Sequence, residues 1–272
     1  MKWGLVYNLH TKKAVSLAED IYDFLNENGE VFIEKNFTSE KKYKEYKLEE
    51  INKKADIVVT VGGDGTILRA LKRVDKPVFA INSGGMGFLS EVESKYATSG
   101  LKQVIAGDYN VEERAKLKTM LDGKRLDDAT NEVTVQTGRI AKIMYLQIYV
   151  EKELIETFGA DGVIISTPTG STSYALSVGG PILDPAVNAM VIAPLAPFKL
   201  SARPWVVPLH KKVGIKLRHK NKSRNCKLVI DGDSPKEVTT ESDIMITVSE
   251  KKARFVRFGE SFYQMVRLKL VR

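Results

Sequence analysis

Apolar positions along the first hundred residues switch repeatedly between continuous runs and helical spacing. Residues 4–7 form a short apolar run that predicts a buried strand. Ala14, Leu17, Ala18, Ile21, Phe24 and Leu25 then recur every three or four residues, the spacing of one helix face, and Gly29 stands where a helix cap would fall. Glu30–Glu34 predicts the next strand and 48–55 a second helix. Residues 56–61 are rich in β-branched side chains and stop at Gly62-Gly63; a helix over 66–74 and a strand over 77–81 follow. Strands alternating with helices imply a parallel sheet with helices on its faces.

Past residue 110 the period changes to two. Met144, Leu146, Ile148 and Val150 alternate with Tyr145, Gln147 and Tyr149, and the same alternation returns at Val213, Ile215 and Leu217 and at Ile244, Ile246 and Val248. Asp122-Gly123 and Asp231-Gly232 stand between such runs as hairpin turns. This region reads as mostly antiparallel β. An apolar tail, 262–271, is expected to pack back on one of the domains, and neither an internal repeat nor a low-complexity linker is visible.

Composition narrows the class. Of 272 residues, 43% are hydrophobic and 28% charged, a globular mixture with enough chain for a large core. No apolar stretch approaches the roughly 20 residues that span a bilayer, and the amino terminus enters a strand without the long apolar core of a signal peptide. Cys226 is the lone cysteine, so no internal disulfide framework exists. A cytoplasmic protein is expected. Lys and Arg number 42 against 34 acidic residues, a net charge of +8. Basic and acidic residues interleave over 41–50, however, which reads as a solvated helical face rather than a nucleic-acid stripe. The excess suits small polyanions such as dinucleotides and nucleoside triphosphates.

Four segments carry candidate chemistry. Val61-Gly62-Gly63-Asp64-Gly65-Thr66 lies where a parallel strand ends and a helix starts, the edge at which open α/β sheets bind ligands. Its glycines permit close backbone approach, and the helix start offers free N–H groups to an anion. Asp64 reads either as a base for a hydroxyl or a Mg²⁺ ligand, or as an ordinary N-cap. Neither G-x-G-x-x-G nor a Walker A loop is present, which counts against hydride transfer and against a P-loop kinase. Asn82-Ser83-Gly84-Gly85-Met86-Gly87-Phe88-Leu89 follows the next strand and suggests a second loop on the same crevice. From Gly159 to Tyr174 a short apolar strand runs into a stretch dense in Ser, Thr and Gly, with hydroxyls for a polar ligand and Tyr174 as a flat face for a ring. Asn131-Glu132, before Val133-Thr134-Val135, could bracket a ribose diol or be an exposed turn. His10, His210 and His219 lack ligand spacing.

Gly62-Gly63-Asp64-Gly65-Thr66, Asn131-Glu132 and Asp161-Gly162 through Gly180, in that order and spacing, resemble the NAD kinase family over nearly the whole chain. The first motif is shared with diacylglycerol and sphingosine kinases, whereas Ile165 to Tyr174 is far more specific. Phe198-Lys199-Leu200-Ser201-Ala202-Arg203-Pro204 looks like the archaeal form. The resemblance implies ATP- or other donor-dependent phosphorylation of the adenosine-ribose 2′-hydroxyl of NAD, with Asp64 as general base. It places Gly65, Arg69, Asn131, Glu132, Lys142 and Asp161 beside the dinucleotide. Thr169, Thr172, Ser173, Tyr174, Ala175, Leu176 and Ser177 match the loop that wraps it, Ala196 a small residue beside it, and Asp231 a polar residue near the site. No dedicated metal ligands are implied, Mg²⁺ arriving mainly on the donor's phosphates. Gly159 departs from the arginine of many bacterial members.

The implied fold is a Rossmann-like parallel α/β domain (1–108), a mostly antiparallel β-sandwich-like domain (109–255) with NAD in the cleft between them, and a C-terminal segment (256–272). Expected partners are NAD, a phosphoryl donor and further copies of the chain as a dimer or tetramer, with neither nucleic acid nor membrane. A diacylglycerol-kinase-like lipid kinase and a non-catalytic dinucleotide sensor are the alternatives.

Overall fold

A computed structural model describes residues 1–35, 43–85, 87–139, 142–218, 226–259 and 261–270. Two compact units emerge, one from residues 1–113 and 253–272, the other from 114–252.

The first unit begins with β1 (Lys2–Tyr7), α1 (Lys12–Glu27), β2 (Glu30–Glu34), β3 (Glu45–Tyr46), α2 (Leu48–Lys54), β4 (Ile57–Gly62), α3 (Asp64–Leu71), β5 (Val78–Asn82), β6 (Val92–Glu93) and α4 (Ala97–Ala106). The strands pair in parallel in the order β5-β4-β1-β2-β3, with β6 on β5. Alternate residues of each strand face opposite sides. Leu5, Val59 and Ile81 pack under α1 and α4, while Val6, Val58 and Ala80 pack with Ile51 of α2 and Ile67 and Leu71 of α3. Because β2 and β4 flank β1 on opposite sides, the strand order reverses there. The carboxyl ends of β1 and β4 therefore frame the crevice at which such sheets bind ligands.

The second unit contains β7 (Asn110–Leu121), β8 (Lys124–Arg125), β9 (Glu132–Thr137), β10 (Met144–Val150), β11 (Glu153–Ala160), β12 (Gly162–Ser166), α5 (Tyr174–Ser177), β13 (Ala189–Leu195), β14 (Trp205–Pro208), β15 (Val213–Arg218), β16 (Cys226–Ile230), β17 (Asp233–Val238) and β18 (Ile244–Arg257), the outer strands β7 and β18 crossing the unit boundary. Pairing here is antiparallel, in the orders β11-β10-β15-β18 and β14-β13-β12-β9-β16-β17. Leu146, Ile148, Val213 and Ile215 from one sheet share a core with Val133, Val163, Ile165 and Leu228 from the other. The hairpin turns have φ of 50° and 75° at Asp122-Gly123 and 48° and 71° at Asp231-Gly232, the left-handed pairs that tight hairpins require. The chain ends in α6 (Phe262–Leu270), which belongs to the first unit.

Several expectations are corrected. Residues 45–46 form a strand and helix starts only at Leu48, so the interleaved charges over 41–50 are not one helical face; Lys41 and Lys42 lie outside the described residues. The α3 helix starts at Asp64 rather than 66, because Gly63 in an extended conformation serves as N-cap. It stops at Leu71, short of 74, and Pro77 lies a few residues beyond. Asn28, not Gly29, caps α1; Gly29 is there because a Cβ would sit 2.1 Å from the Met1 carbonyl oxygen. The tail forms a helix without a buried residue, and Val271 lies outside the described residues. No helix among the described residues is long and apolar enough to cross a membrane.

Gly162 opens β12 with its missing Cβ aimed at backbone: an added methyl would meet the Val135 carbonyl oxygen at 2.4 Å. Backbone cannot yield as a side chain tip does, so Gly162→Ala should cost about 2 kcal/mol or more. Urea denaturation of both proteins measures this directly.

Candidate active site

At the reversal point of the first unit, Asp64 occupies the first turn of α3 and reaches across to the second glycine-rich loop. Its Oδ2 accepts the Phe88 N–H at 2.8 Å and its Oδ1 the Leu89 N–H at 3.2 Å. The carboxylate thus joins the loops after β4 and β5 and is not an N-cap for its own helix. Gly87 permits this, since a Cβ there would lie 2.8 Å from Asp64 Oδ1. Gly62 is needed for packing against Thr66, whereas added Cβ atoms at Gly63 and Gly65 would meet nothing within 4 Å. Open space beside a helix start and a carboxylate suits an anionic ligand and a hydroxyl nucleophile. Met86, in the second loop, lies outside the described residues.

Arg69 is held by partners within its own unit. Its guanidinium holds both oxygens of the buried Glu34, and Nη2 also donates to the Tyr7 carbonyl at 2.8 Å. A fork-to-fork pair ties α3 to the ends of β1 and β2. The phenol of Tyr7 is pushed above its ordinary range by burial and by the neighbouring charges of Glu34 and Glu45.

In the second unit, Asn131 and Glu132 prove buried, which corrects the exposed-turn alternative. The Asp231 carboxylate reaches back from the β16–β17 turn and accepts the N–H groups of Thr130 (2.9 Å), Asn131 (2.8 Å) and Glu132 (3.1 Å). Three amides on one carboxylate fix the entry to β9. Gly170 presses on the same turn, where a Cβ would lie 2.2 Å from the Asn131 carbonyl oxygen. Asn131 Oδ1 and Glu132 Oε2 are buried without a hydrogen-bond partner among the described residues. The Glu132 carboxyl is pushed up to about 7, first by burial and then by the charge of Asp231, against hydrogen bonds from the Ser173 hydroxyl and the Tyr174 N–H.

The hydroxyl-rich segment divides into two parts. Ser166, Thr167 and Ser171 are buried and satisfy backbone: Thr167 Oγ1 donates to Thr130 O at 2.6 Å, and Ser171 Oγ to Pro168 O at 2.7 Å. Thr172 and Ser177 donate within their own turns, Thr169 and Ala175 are buried, Leu176 is half-buried and Tyr174 is exposed. Ser173 and the Tyr174 backbone therefore join Asn131, Glu132 and Asp231 in one cluster. Asp161, half-buried, is tied by its backbone to Thr137 and Leu195; Ala196 has φ of 46°; Lys142 is exposed. Gly159 lies against Ile143 and Tyr145, 2.9 and 3.2 Å from an added Cβ, at a cavity of about 240 Å³ that Phe198 and Lys199 also line. No group of three or more His, Cys, Asp or Glu among the described residues could hold a metal. His10 and His210 are exposed, and His219 lies outside the described residues. Sequence reasoning missed Glu34 and the Phe88 and Leu89 amides, since a backbone donor leaves no residue-type signature.

Two family models match, the ATP-NAD kinase N-terminal domain over residues 3–109 and the ATP-NAD kinase C-terminal domain over 130–258. An NAD kinase of Thermococcus kodakarensis is 42% identical over 278 residues, covering 99% of both chains, and one of Methanothermobacter thermautotrophicus is 40% identical over 276, covering 100% of this chain and 96% of the other. The crystal structure of an Archaeoglobus fulgidus NAD kinase in complex with ATP superposes with a TM-score of 0.80 at 28% identity, over 98% of this chain and 99% of that one. Yeast NADH kinase complexed with NADH has a TM-score of 0.91 at 24% identity over 98% and 86%, a likeness of fold. Fold, loops and matches together define a phosphotransferase. The chain belongs to the NAD kinase family.

The raised Glu132 carboxyl gives stability a definite pH dependence. The folded state keeps this proton up to about pH 7, the unfolded state only to its ordinary value of 4.5. The contribution is therefore fully present below 4.5 and is lost as pH rises through 7. Glu132→Gln should abolish that loss, gaining on the order of 3 kcal/mol over the unsubstituted protein between pH 5 and 8. Urea titrations of both proteins at the two pH values test this, and parallel profiles would refute it.

Proposed function

We propose that this chain transfers a phosphoryl group from ATP, or a donor of like chemistry, to the 2′-hydroxyl of the adenosine ribose of NAD, and that Asp64 draws the proton from that hydroxyl. The observation that carries the reading is the pair of buried acceptors, Asn131 Oδ1 and Glu132 Oε2, left without partners among the described residues. A buried acceptor without a donor costs about 1–3 kcal/mol, so such a pair is kept for a ligand that brings donors. A ribose diol brings two hydroxyls, each able to donate to such an oxygen or to accept from the Glu132 carboxyl while that carboxyl holds its proton. Asp231 and Gly170 hold the acceptors rigid, Ser173 and the Tyr174 backbone complete the cluster, and Thr169, Thr172 and 175–177 shape the wall around it. The ATP in the Archaeoglobus relative's structure supports a triphosphate donor.

Asp64 has the chemistry of the base: each oxygen accepts one amide, leaving lone pairs for a substrate hydroxyl or a cation. A divalent ion, Mg²⁺ in this reading, fits as a companion of the donor's phosphates with Asp64 as its protein contact, and when bound it neutralises phosphate charge. Arg69 acts by anchoring α3. The full-length family relatives do not favour a lipid kinase or a silent dinucleotide sensor. Cytoplasmic residence accords with the lone buried Cys226.

Asp64→Asn keeps the shape and the amide contacts to one oxygen while removing the base. NADP formation should fall about 10²-fold or more, read as kcat in a coupled assay with NAD, ATP and Mg²⁺. Unchanged turnover would remove Asp64 from the chemistry.

Assembly into a homo-oligomer is part of the same reading. Phe198 and Leu200 are 80% and 88% exposed, and Trp205 and Val206 lie uncovered nearby in the chain. Large apolar side chains so exposed mark a contact surface. Light scattering should show a dimer or tetramer, and Phe198→Asp with Leu200→Asp should shift it to monomer. A monomeric unsubstituted protein would contradict this.

A further inference from the structure

We propose that the C-terminal segment positions Asp64 through the loop backbone that binds it, with Lys269, on the Gly87–Phe88 peptide, and Arg257, on the Leu89 carbonyl, as the positioning residues; this rests on the reading of Asp64 as the base. The loop whose amides hold Asp64 contains Gly84, Gly85 and Gly87, the first two at φ of 149° and 86°. Glycine gives such a loop wide conformational freedom, so its amides need outside anchors to point one way.

The anchors come from β18 and α6. The Lys269 ammonium donates to the Gly87 carbonyl and lies 5.4 Å from the centre of the Phe88 ring. The Gly87 carbonyl and the Phe88 N–H belong to one planar peptide unit. A cation held on its oxygen therefore fixes the plane whose N–H meets Asp64 Oδ2 at 2.8 Å, and polarises that N–H toward the carboxylate. Arg257 anchors the next residue from its other side, through the peptide that follows Leu89 rather than the one that carries its N–H. Its Nη1 donates to the Leu89 carbonyl at 3.2 Å, while the Leu89 N–H meets Asp64 Oδ1 at 3.2 Å.

Arg257 is itself rigidly held. Glu91 accepts from Nη1 at 2.8 Å and Glu112 from Nε at 2.9 Å, and the guanidinium lies 4.8 Å over the Phe255 ring. Glu91 also accepts the Phe258 N–H at 2.6 Å, which locks the end of β18 to the exit of the loop. Lys269 sits on a helix with no buried residue, above a cavity of about 460 Å³ that Gly87, Glu91, Phe258, Met265 and Lys269 help to line. Phe262, Met265 and Val266 of α6 are half-buried, and the Lys269 contact adds a directed bond from the helix to the loop.

The test is a double-mutant cycle on the full-length protein, scored as NADP formed from NAD and ATP with Mg²⁺. Lys269→Met and Arg257→Gln should each lower kcat about tenfold or more, with KM for NAD changed less than about twofold, and Lys269→Arg should restore most of the loss. In an Asp64→Asn background the same two substitutions should have almost no further effect, because they act through the group already removed. Arg257 sits in a buried ion-paired cluster and its loss could unfold the protein; Lys269→Met, at the surface, then decides alone. An inactive Asp64→Asn protein with full activity in Lys269→Met, or the same tenfold loss in both backgrounds, would overturn the positioning role while leaving the base assignment standing. Normal turnover of Asp64→Asn would overturn both.

Discussion

One carboxylate clasped by two consecutive backbone amides organises the first unit's site. Asp64, the first residue of α3, turns its carboxylate from its own helix to the neighbouring loop. It reaches to Phe88 and Leu89 instead, and this fixes the spacing of two loops that would otherwise be free to open. The parallel sheet matters here because it brings β4 and β5 side by side, Gly62 opposite Asn82, so both loops leave the sheet at the same level. Sheet register, glycine placement and the carboxylate are a single device.

The second unit uses the same bond type for a different end. Asp231 takes three amides and is thereby a structural clamp, while Glu132, which the clamp positions, lacks a donor for one oxygen among the described residues. The number of donors each carboxylate finds among the described residues separates the two: Asp231 is served by three amides, whereas Glu132, left short, buried and pushed up to about 7, suits a ligand hydroxyl in the proposed function.

Much of this was legible in the order of residues. The alternation of strand and helix up to residue 81, the period-two runs and both Asp-Gly turns came through because a single local rule governs each. The start of α3 was misplaced by two residues because Gly63 caps by conformation rather than by side chain. The strand at 45–46 was hidden by charges that suit a helix surface equally well, and α4 was not anticipated although Gly107, at φ of 79°, marks its end. Among the candidate residues, Asp64 in the first unit and Asn131, Glu132 and Asp231 in the second are visible as motifs, but the burial of Asn131 and Glu132 is not. Several hydroxyls of 166–171 serve backbone rather than ligand, a distinction that depends on partners distant in sequence, such as Thr130 and Leu183.

A crystal of this protein grown with NAD would decide the matter most directly, through the distance from the Asp64 carboxylate to the adenosine 2′-oxygen. The proposed chemistry requires that oxygen within hydrogen-bonding reach, about 3 Å, with the Phe88 and Leu89 amides still in place. A dinucleotide bound in good order with its 2′-oxygen beyond that reach, and another group of the chain beside it, would contradict the account.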